Sequence, residues 1–215
     1  MAAEEPFGTG RGERAGTPLR TTLLGIGAAA SPRFPPAGLL VEHLGHRICL
    51  DGGPRAEVDG DLDAWLVSDD RAELMPQIRR LARARGLVPD VGTFEVPGLQ
   101  IVPRQVLHTS HPAFGYLITA ARRKVAWAPE FWEFPTWAAR VDLMFAEAAS
   151  WSRPIRFRGG VGGHASALQV AADAAAHGVR RLVLAHIGRP TIRAIDRGER
   201  PPFGEFGVVG RTYLP

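Results

Sequence analysis

Cysteine is almost absent from this 215-residue sequence, with Cys49 as its only representative. One thiol can neither close an internal disulfide nor build a cysteine-based zinc cluster. Lysine is as scarce: Lys124 stands alone among 26 basic residues, so nearly all the positive charge is guanidinium. Long apolar runs are missing too, and none reaches the roughly 20 residues that a membrane-spanning helix needs. Met1–Arg20 mixes Glu, Gly, Arg and Pro without the apolar block of a secretory leader. It reads as a flexible tail ahead of one domain over 21–215. The expectation is a cytoplasmic protein with no membrane partner.

What is present is ordinary globular material. The chain is 45% hydrophobic and 22% charged, enough apolar residue for one sizeable core. A formal charge of +4 is basic without being extreme. Arginines cluster at Arg79, Arg80, Arg83 and Arg85, and again at Arg153, Arg156 and Arg158. Such clusters attract phosphates, but no aromatic-basic interleaving of an RNA-binding module accompanies them. Nucleic acid is permitted as a partner and not indicated.

Short β-rich runs dominate. Thr21–Ile26 is followed by a hairpin, Gly38–His43 and Arg47–Leu50, turned at Gly45. Asp63–Val67 reads as a strand, and Asp70–Arg85 as a helix with Leu74, Ile78 and Leu81 on one face and Gly86 as its stop. Strand patterns follow at 93–96, 99–106, 115–120, 124–128 and 141–147. An alanine-rich helix covers Ala165–His177, and a buried strand covers Arg181–Ala185. Strands with two longer helices between them predict an α/β domain with mixed sheets.

Four of the seven histidines fall at strand ends or in glycine-rich turns: His108, His111, His164 and His186. Glu130 ends a further strand. After the strand at 63–67 comes a run of carboxylates in Ser68-Asp69-Asp70-Arg71-Ala72-Glu73. Acids at a helix start ordinarily serve as caps, and a lone histidine is more often a structural hydrogen-bonder. Several strand-end His and acidic residues in one compact domain instead suit a metal at a sheet edge.

The order Thr22–Ala29, Leu50-Asp51-Gly52-Gly53, Leu66–Glu73, His108-Thr109, Gly115-Tyr116, Pro129-Glu130, Gly163-His164-Ala165-Ser166 and Leu184-Ala185-His186 resembles the metallo-β-lactamase superfamily. Within it, the likeness is to the phosphodiesterase and ribonuclease Z-like branch, and it runs from about Thr21 to Pro190. The resemblance implies a four-layer αβ/βα sandwich of two mixed sheets. It also exposes a departure, because the six residues matching His-x-His-x-Asp-His contain no histidine.

By position, the resemblance puts Ser68 and Asp70 where two histidines of the first metal stand, and Ala72 and Glu73 where an Asp and a His of the second stand. His108 and His186 match later histidine ligands, and Glu130 matches the bridging aspartate. His164 matches a histidine that protonates the leaving group. Ser68 and Ala72 are losses, whereas Asp70, Glu73 and Glu130 keep coordinating oxygens. One metal held by Glu73, Glu130 and His186, helped by Asp70 or His108, would favour Mn²⁺, Mg²⁺ or Fe²⁺ over Zn²⁺. Alternatively no metal binds, and the acids pair with Arg71 or other arginines.

Two functions follow from the resemblance. One is a metal-dependent hydrolase of a phosphodiester or related ester, with His164 as proton donor and Arg189 holding phosphate; its substrate would be a small-molecule or nucleotide phosphoester. The other is a non-catalytic member, degenerate at its active site and kept for binding or assembly, in which the aromatics of Phe131–Trp137 fill the site or make a homodimer contact. A tRNA-processing role is weaker, since the chain has no insertion large enough for a tRNA-gripping arm.

Overall fold

The computed structural model describes residues 18–215. Most of the tail expected over 1–20 lies outside the described residues. At its end the expectation needs correction, because Leu19 is buried and the first strand begins at Arg20.

The elements in chain order are β1 (Arg20–Gly25), β2 (Gly38–His43), β3 (His46–Asp51), β4 (Ala64–Leu66), α1 (Met75–Arg83), β5 (Phe94–Val96), β6 (Leu99–Val106), β7 (Ala113–Ala120) and β8 (Arg123–Ala128). After a 3₁₀ turn at Thr136–Ala138 come β9 (Leu143–Ala148), β10 (Ile155–Arg156), β11 (Gly163–His164), α2 (Ala167–Ala176), β12 (Leu182–Ile187), α3 (Arg189–Asp196), β13 (Glu205–Phe206) and β14 (Thr212–Tyr213). A five-stranded sheet has the order β14-β1-β2-β3-β4, and a seven-stranded sheet the order β13-β12-β9-β8-β7-β6-β5. Strands β5 to β8 pair antiparallel, while β8, β9, β12 and β13 pair parallel. Among the described residues no helix is long and apolar enough to cross a membrane.

Two-residue periodicity sorts the side chains into layers. Leu39 and Val41 of β2, with Ile48 and Leu50 of β3, enter the core between the sheets, where they join Tyr116, Trp127 and Phe145. The alternate residues Leu40 and Cys49 turn to the outer face and meet Trp65, Met75 and Ile78 under α1. Against the second sheet, α2 lays Val170, Ala171 and Ala174 into the same central cluster. The result is the helix–sheet–sheet–helix sandwich that the sequence implied.

Some boundaries differ from expectation. Helix α1 begins at Met75 rather than Asp70, and Asp70–Leu74 is a string of turns. Pro76 explains the difference: deep in a longer helix it would lack an N–H and clash with the preceding turn, whereas near the N-terminus neither matters. Its most buried residues are Met75, Ile78 and Ala82. The carboxylates of this segment therefore sit on a loop and not on a helix face. Helix α3, β13, β14 and the β10–β11 hairpin had no clear signature in the sequence.

Candidate active site

Parallel pairing brings three strand ends to one edge of the larger sheet. In register, Ala128 of β8 lies beside Ala146 of β9, which lies beside Leu184 of β12. Just past these positions stand Glu130, Glu147 and His186. Strand β6 runs in the same direction two places along and delivers His108. Carboxyl ends of strands are where open α/β sheets gather ligands. At His186 the pairing shifts register between Leu184 and Ile187, and the backbone adopts φ 58. A non-glycine residue in this left-handed region costs about 1–2 kcal/mol. Such departures cluster where a side chain must be aimed.

These residues form one continuous chain of acids and imidazoles. His108 Nε2 lies 2.7 Å from one oxygen of Glu130, and His186 Nε2 lies 2.8 Å from the other. His186 Nδ1 is 3.2 Å from Glu147 Oε1, and His164 Nδ1 is 2.7 Å from Glu147 Oε2. Glu147 is fully buried and also accepts the backbone N–H groups of Ala149 (2.7 Å) and Phe131 (3.3 Å). His108 Nδ1 is 2.9 Å from the carbonyl oxygen of Gly163. That carbonyl can only accept, so His108 carries its proton at Nδ1 and directs Nε2 to Glu130. Glu147, holding two backbone donors, likewise fixes N–H at Nδ1 of His164 and His186.

Electrostatics follow from this arrangement. Burial works against an imidazolium at His186, but the charges of Glu130 and Glu147 outweigh it and raise its pKa to about 10. At His108 burial also opposes the charge, and the bond to Glu130 reverses the balance and raises the pKa. Burial pushes both glutamates up, yet His186 and His108 hold Glu130 well below the usual carboxylate value. His164 and His186 do the same for Glu147, to a lesser degree. Asp51 behaves differently. Its burial dominates, and its pKa rises to about 6 despite hydrogen bonds from Ser68 and Trp127.

The opposite wall is the loop after β4. Ser68 uses both its N–H (2.7 Å) and its hydroxyl (3.0 Å) on Asp51 Oδ1, while Trp127 Nε1 donates to Asp51 Oδ2 at 2.6 Å. Asp69 is nearly buried and pairs with His111 Nε2 at 2.8 Å. Asp70 is exposed and does not line the cavity; only its carbonyl is engaged, by Arg79. Glu73 is exposed and lines the cavity, with no ion-pair partner among the described residues. The expectation that Asp70 helps hold an ion is therefore corrected. Once Pro76 keeps this segment out of the helix, Asp70 and Glu73 no longer share a helical face.

Between the two walls lies a cavity of about 630 Å³. His108, Glu130, His164 and His186 line one side, Asp69 and His111 another, and Arg189 stands at the first turn of α3. Phe157 covers the floor, edge-on to both His108 (5.4 Å) and His164 (5.3 Å). Of the aromatic segment, Phe131 is buried core and Phe134 stacks on His177 at 4.4 Å, so these two rings do not fill the cavity. His43, at the end of β2, is buried with Nδ1 unpartnered among the described residues.

Sequence reasoning missed Glu147 and the Asp69–His111 pair. Glu147 did leave a signal: it is the one charged residue in Leu143–Ala148, a strand buried at every position. A carboxylate there requires partners.

No protein-family model matches the sequence, and no curated protein matches it. Solved structures do. The chain has the metallo-β-lactamase fold. It is similar to the metallo-β-lactamase fold protein YhfI from Bacillus subtilis, with a TM-score of 0.72 and 13% identity over 92% of this chain and 99% of that one. A diphosphatase from the PhnP family superposes with a TM-score of 0.69 at 15% identity, covering 93% and 98% of the two chains. Zn²⁺-bound PqqB from Methylobacterium extorquens gives 0.64 at 14% identity, covering 90% and 99%.

The donor set can be tested against a metal ion. Two ions do not fit, because Ser68 is spent on Asp51, Asp70 does not line the cavity and Ala72 has no donor. One ion does fit. His108 and His186 both present Nε2 to the same carboxylate, and their Nδ1 atoms are committed to acceptors. That is how a metal-binding imidazole is normally held. Among the described residues, the group whose ligand atoms all lie within 4.8 Å of one another is instead Glu147, His164 and His186. There, however, Glu147 already accepts four hydrogen bonds, which suits it to orienting the rings.

Proposed function

We propose that this protein is a hydrolase of a phosphodiester or related ester that works with a single divalent ion. One observation carries the reading: the Nε2 atoms of His108 and His186 both meet Glu130 while each Nδ1 is held by an acceptor, so a cation would have to displace only the Nε2 protons. These three residues would hold the ion, with Glu73 as a further carboxylate on the facing loop. Two nitrogens and a carboxylate form a donor set of intermediate softness, which suits Mn²⁺, Fe²⁺ or Zn²⁺ better than Mg²⁺. A bound ion would supply Lewis-acid charge for an oxygen that becomes anionic during the reaction.

The chain's own residues do the rest. His164, its Nδ1–H held by Glu147, leaves Nε2 for the departing oxygen, to which its imidazolium form would give a proton. Arg189 enters the cavity from the start of α3, where guanidinium and free backbone N–H groups both attract a phosphate. Ile155 and Phe157 add apolar walls that exclude water and accommodate a small-molecule or nucleotide ester group.

The test is metal analysis of protein purified without chelator, followed by hydrolysis of bis-p-nitrophenyl phosphate with added Mn²⁺, Fe²⁺ or Zn²⁺. About one ion per chain, and turnover lost in both Glu130→Ala and His186→Ala, is the expected result. Absence of both uptake and turnover with all three ions overturns the reading. It would favour the non-catalytic alternative, in which Glu130 simply neutralises two buried imidazoles.

A further inference from the structure

A site with one ion lacks half of the charge that a two-ion centre brings to deprotonating water. The facing loop, which has lost its donors at Ser68 and Ala72, carries something else. Asp69 and His111 both line the cavity, and Asp69 Oδ2 lies 2.8 Å from His111 Nε2. The carboxylate is fixed in turn, since its other oxygen accepts the N–H of Arg71 at 2.8 Å. The hydroxyl of Thr109 donates to the carbonyl of His111 at 2.9 Å and anchors the short loop that carries the ring. Asp69 is nearly buried while the His111 side chain keeps 25% of its exposure. The imidazole is thus oriented from behind and open in front. With Nε2–H donated to Asp69, the lone pair of His111 resides on Nδ1, which has no partner among the described residues.

We propose that His111, positioned by Asp69, is the general base that deprotonates the attacking water. This rests on the hydrolase reading above. In the step, a water O–H bond breaks and its proton passes to His111 Nδ1 as the oxygen bonds to phosphorus. The bond from phosphorus to the leaving oxygen breaks, and that oxygen takes the proton from His164 Nε2. Proton exchange with solvent through the open cavity resets both rings, so the cycle consumes one water and needs no other reactant. The arrangement is a carboxylate–imidazole dyad on each wall, Asp69–His111 giving the base and Glu147–His164 the acid. A positioned base contributes about 10²–10⁴-fold to rate.

The experiment measures kcat and KM of the Mn²⁺-loaded protein on bis-p-nitrophenyl phosphate. His111→Ala should lower kcat at least about 10²-fold with KM and metal content unchanged, and added imidazole should restore part of the lost rate. Asp69→Asn should lower kcat with KM again unchanged, because its amide can turn the ring to the other tautomer. If His111→Ala does not fold, His111→Asn carries the same measurement and rescue. A turning-over wild type whose His111 variant keeps kcat within twofold, or gains nothing from imidazole, overturns the base assignment alone. A wild type that takes up each ion and hydrolyses nothing overturns the hydrolase reading, and this assignment with it.

Discussion

Glu147→Gln isolates what the buried carboxylate does, independently of any metal. Each oxygen of Glu147 accepts one imidazole N–H and one backbone N–H. An amide can reproduce this at one end only, since its nitrogen is a donor. The cheaper orientation keeps oxygen toward Ala149 and His186 and turns the nitrogen toward His164 and Phe131, whose N–H bond is the longer at 3.3 Å. His164 can answer by moving its proton to Nε2, but the Phe131 N–H cannot, and a buried donor left unmet costs about 1–3 kcal/mol. Loss of the charge-assisted bond to His186 adds about 1.5–3 kcal/mol. A drop of about 2.5–6 kcal/mol is a large part of the roughly 5–15 kcal/mol available to a domain. In urea it moves the midpoint down by about 1–3 M at an unchanged m-value of about 2–3 kcal/mol/M. Nitrogen-15 spectra of the imidazoles should show His164 switching tautomer. A midpoint unmoved at the same m-value would refute the fourfold acceptor role of Glu147.

Stability of the metal-free protein should also depend on pH with a definite sign. The folded pKa of His186, about 10, lies above its ordinary 6.5. Its contribution is therefore fully present below pH 6.5 and is lost as pH rises through 10, with a ceiling of about 5 kcal/mol at 1.36 kcal/mol per pKa unit. Denaturation midpoints between pH 6.5 and 10 check this, and His186→Ala should flatten the decline. Gly162→Ala should be disruptive: the residue sits at φ +78, and an added Cβ would meet the carbonyl oxygen of His108 at 2.0 Å. A loss of at least about 2 kcal/mol, or roughly 4–8 °C in Tm, is expected, and calorimetry measures it.

The fold was legible because its signals are local and repeated. Alternation in β2 and β3, the turn at Gly45 and the alanine-rich helix each declare themselves within a few residues. Strand ends also declared His108, Glu130, His164 and His186, which the structure brings to one cavity. The facing loop was not legible. Its acids look alike in sequence, and only the third dimension separates Asp69, paired with His111, from Asp70, exposed and outside the cavity lining. One proline, Pro76, decided that difference. Glu147 was readable in principle, as a charge within a strand too apolar to tolerate one without partners.

The two walls of the cavity differ in how they are built. One is the carboxyl edge of a seven-stranded sheet, so His108, Glu130, Glu147 and His186 are tied to ladders whose repair would require refolding. The other is a loop whose position depends on backbone bonds such as Ser68 N–H to Asp51, Phe114 N–H to the Ser68 carbonyl and Val67 N–H to Asp90. None of those bonds needs the present side chains at 70, 72 or 73. The site therefore behaves as a fixed half-socket with an exchangeable insert, and rewriting those few loop side chains would change its chemistry while the sheet stands unaltered.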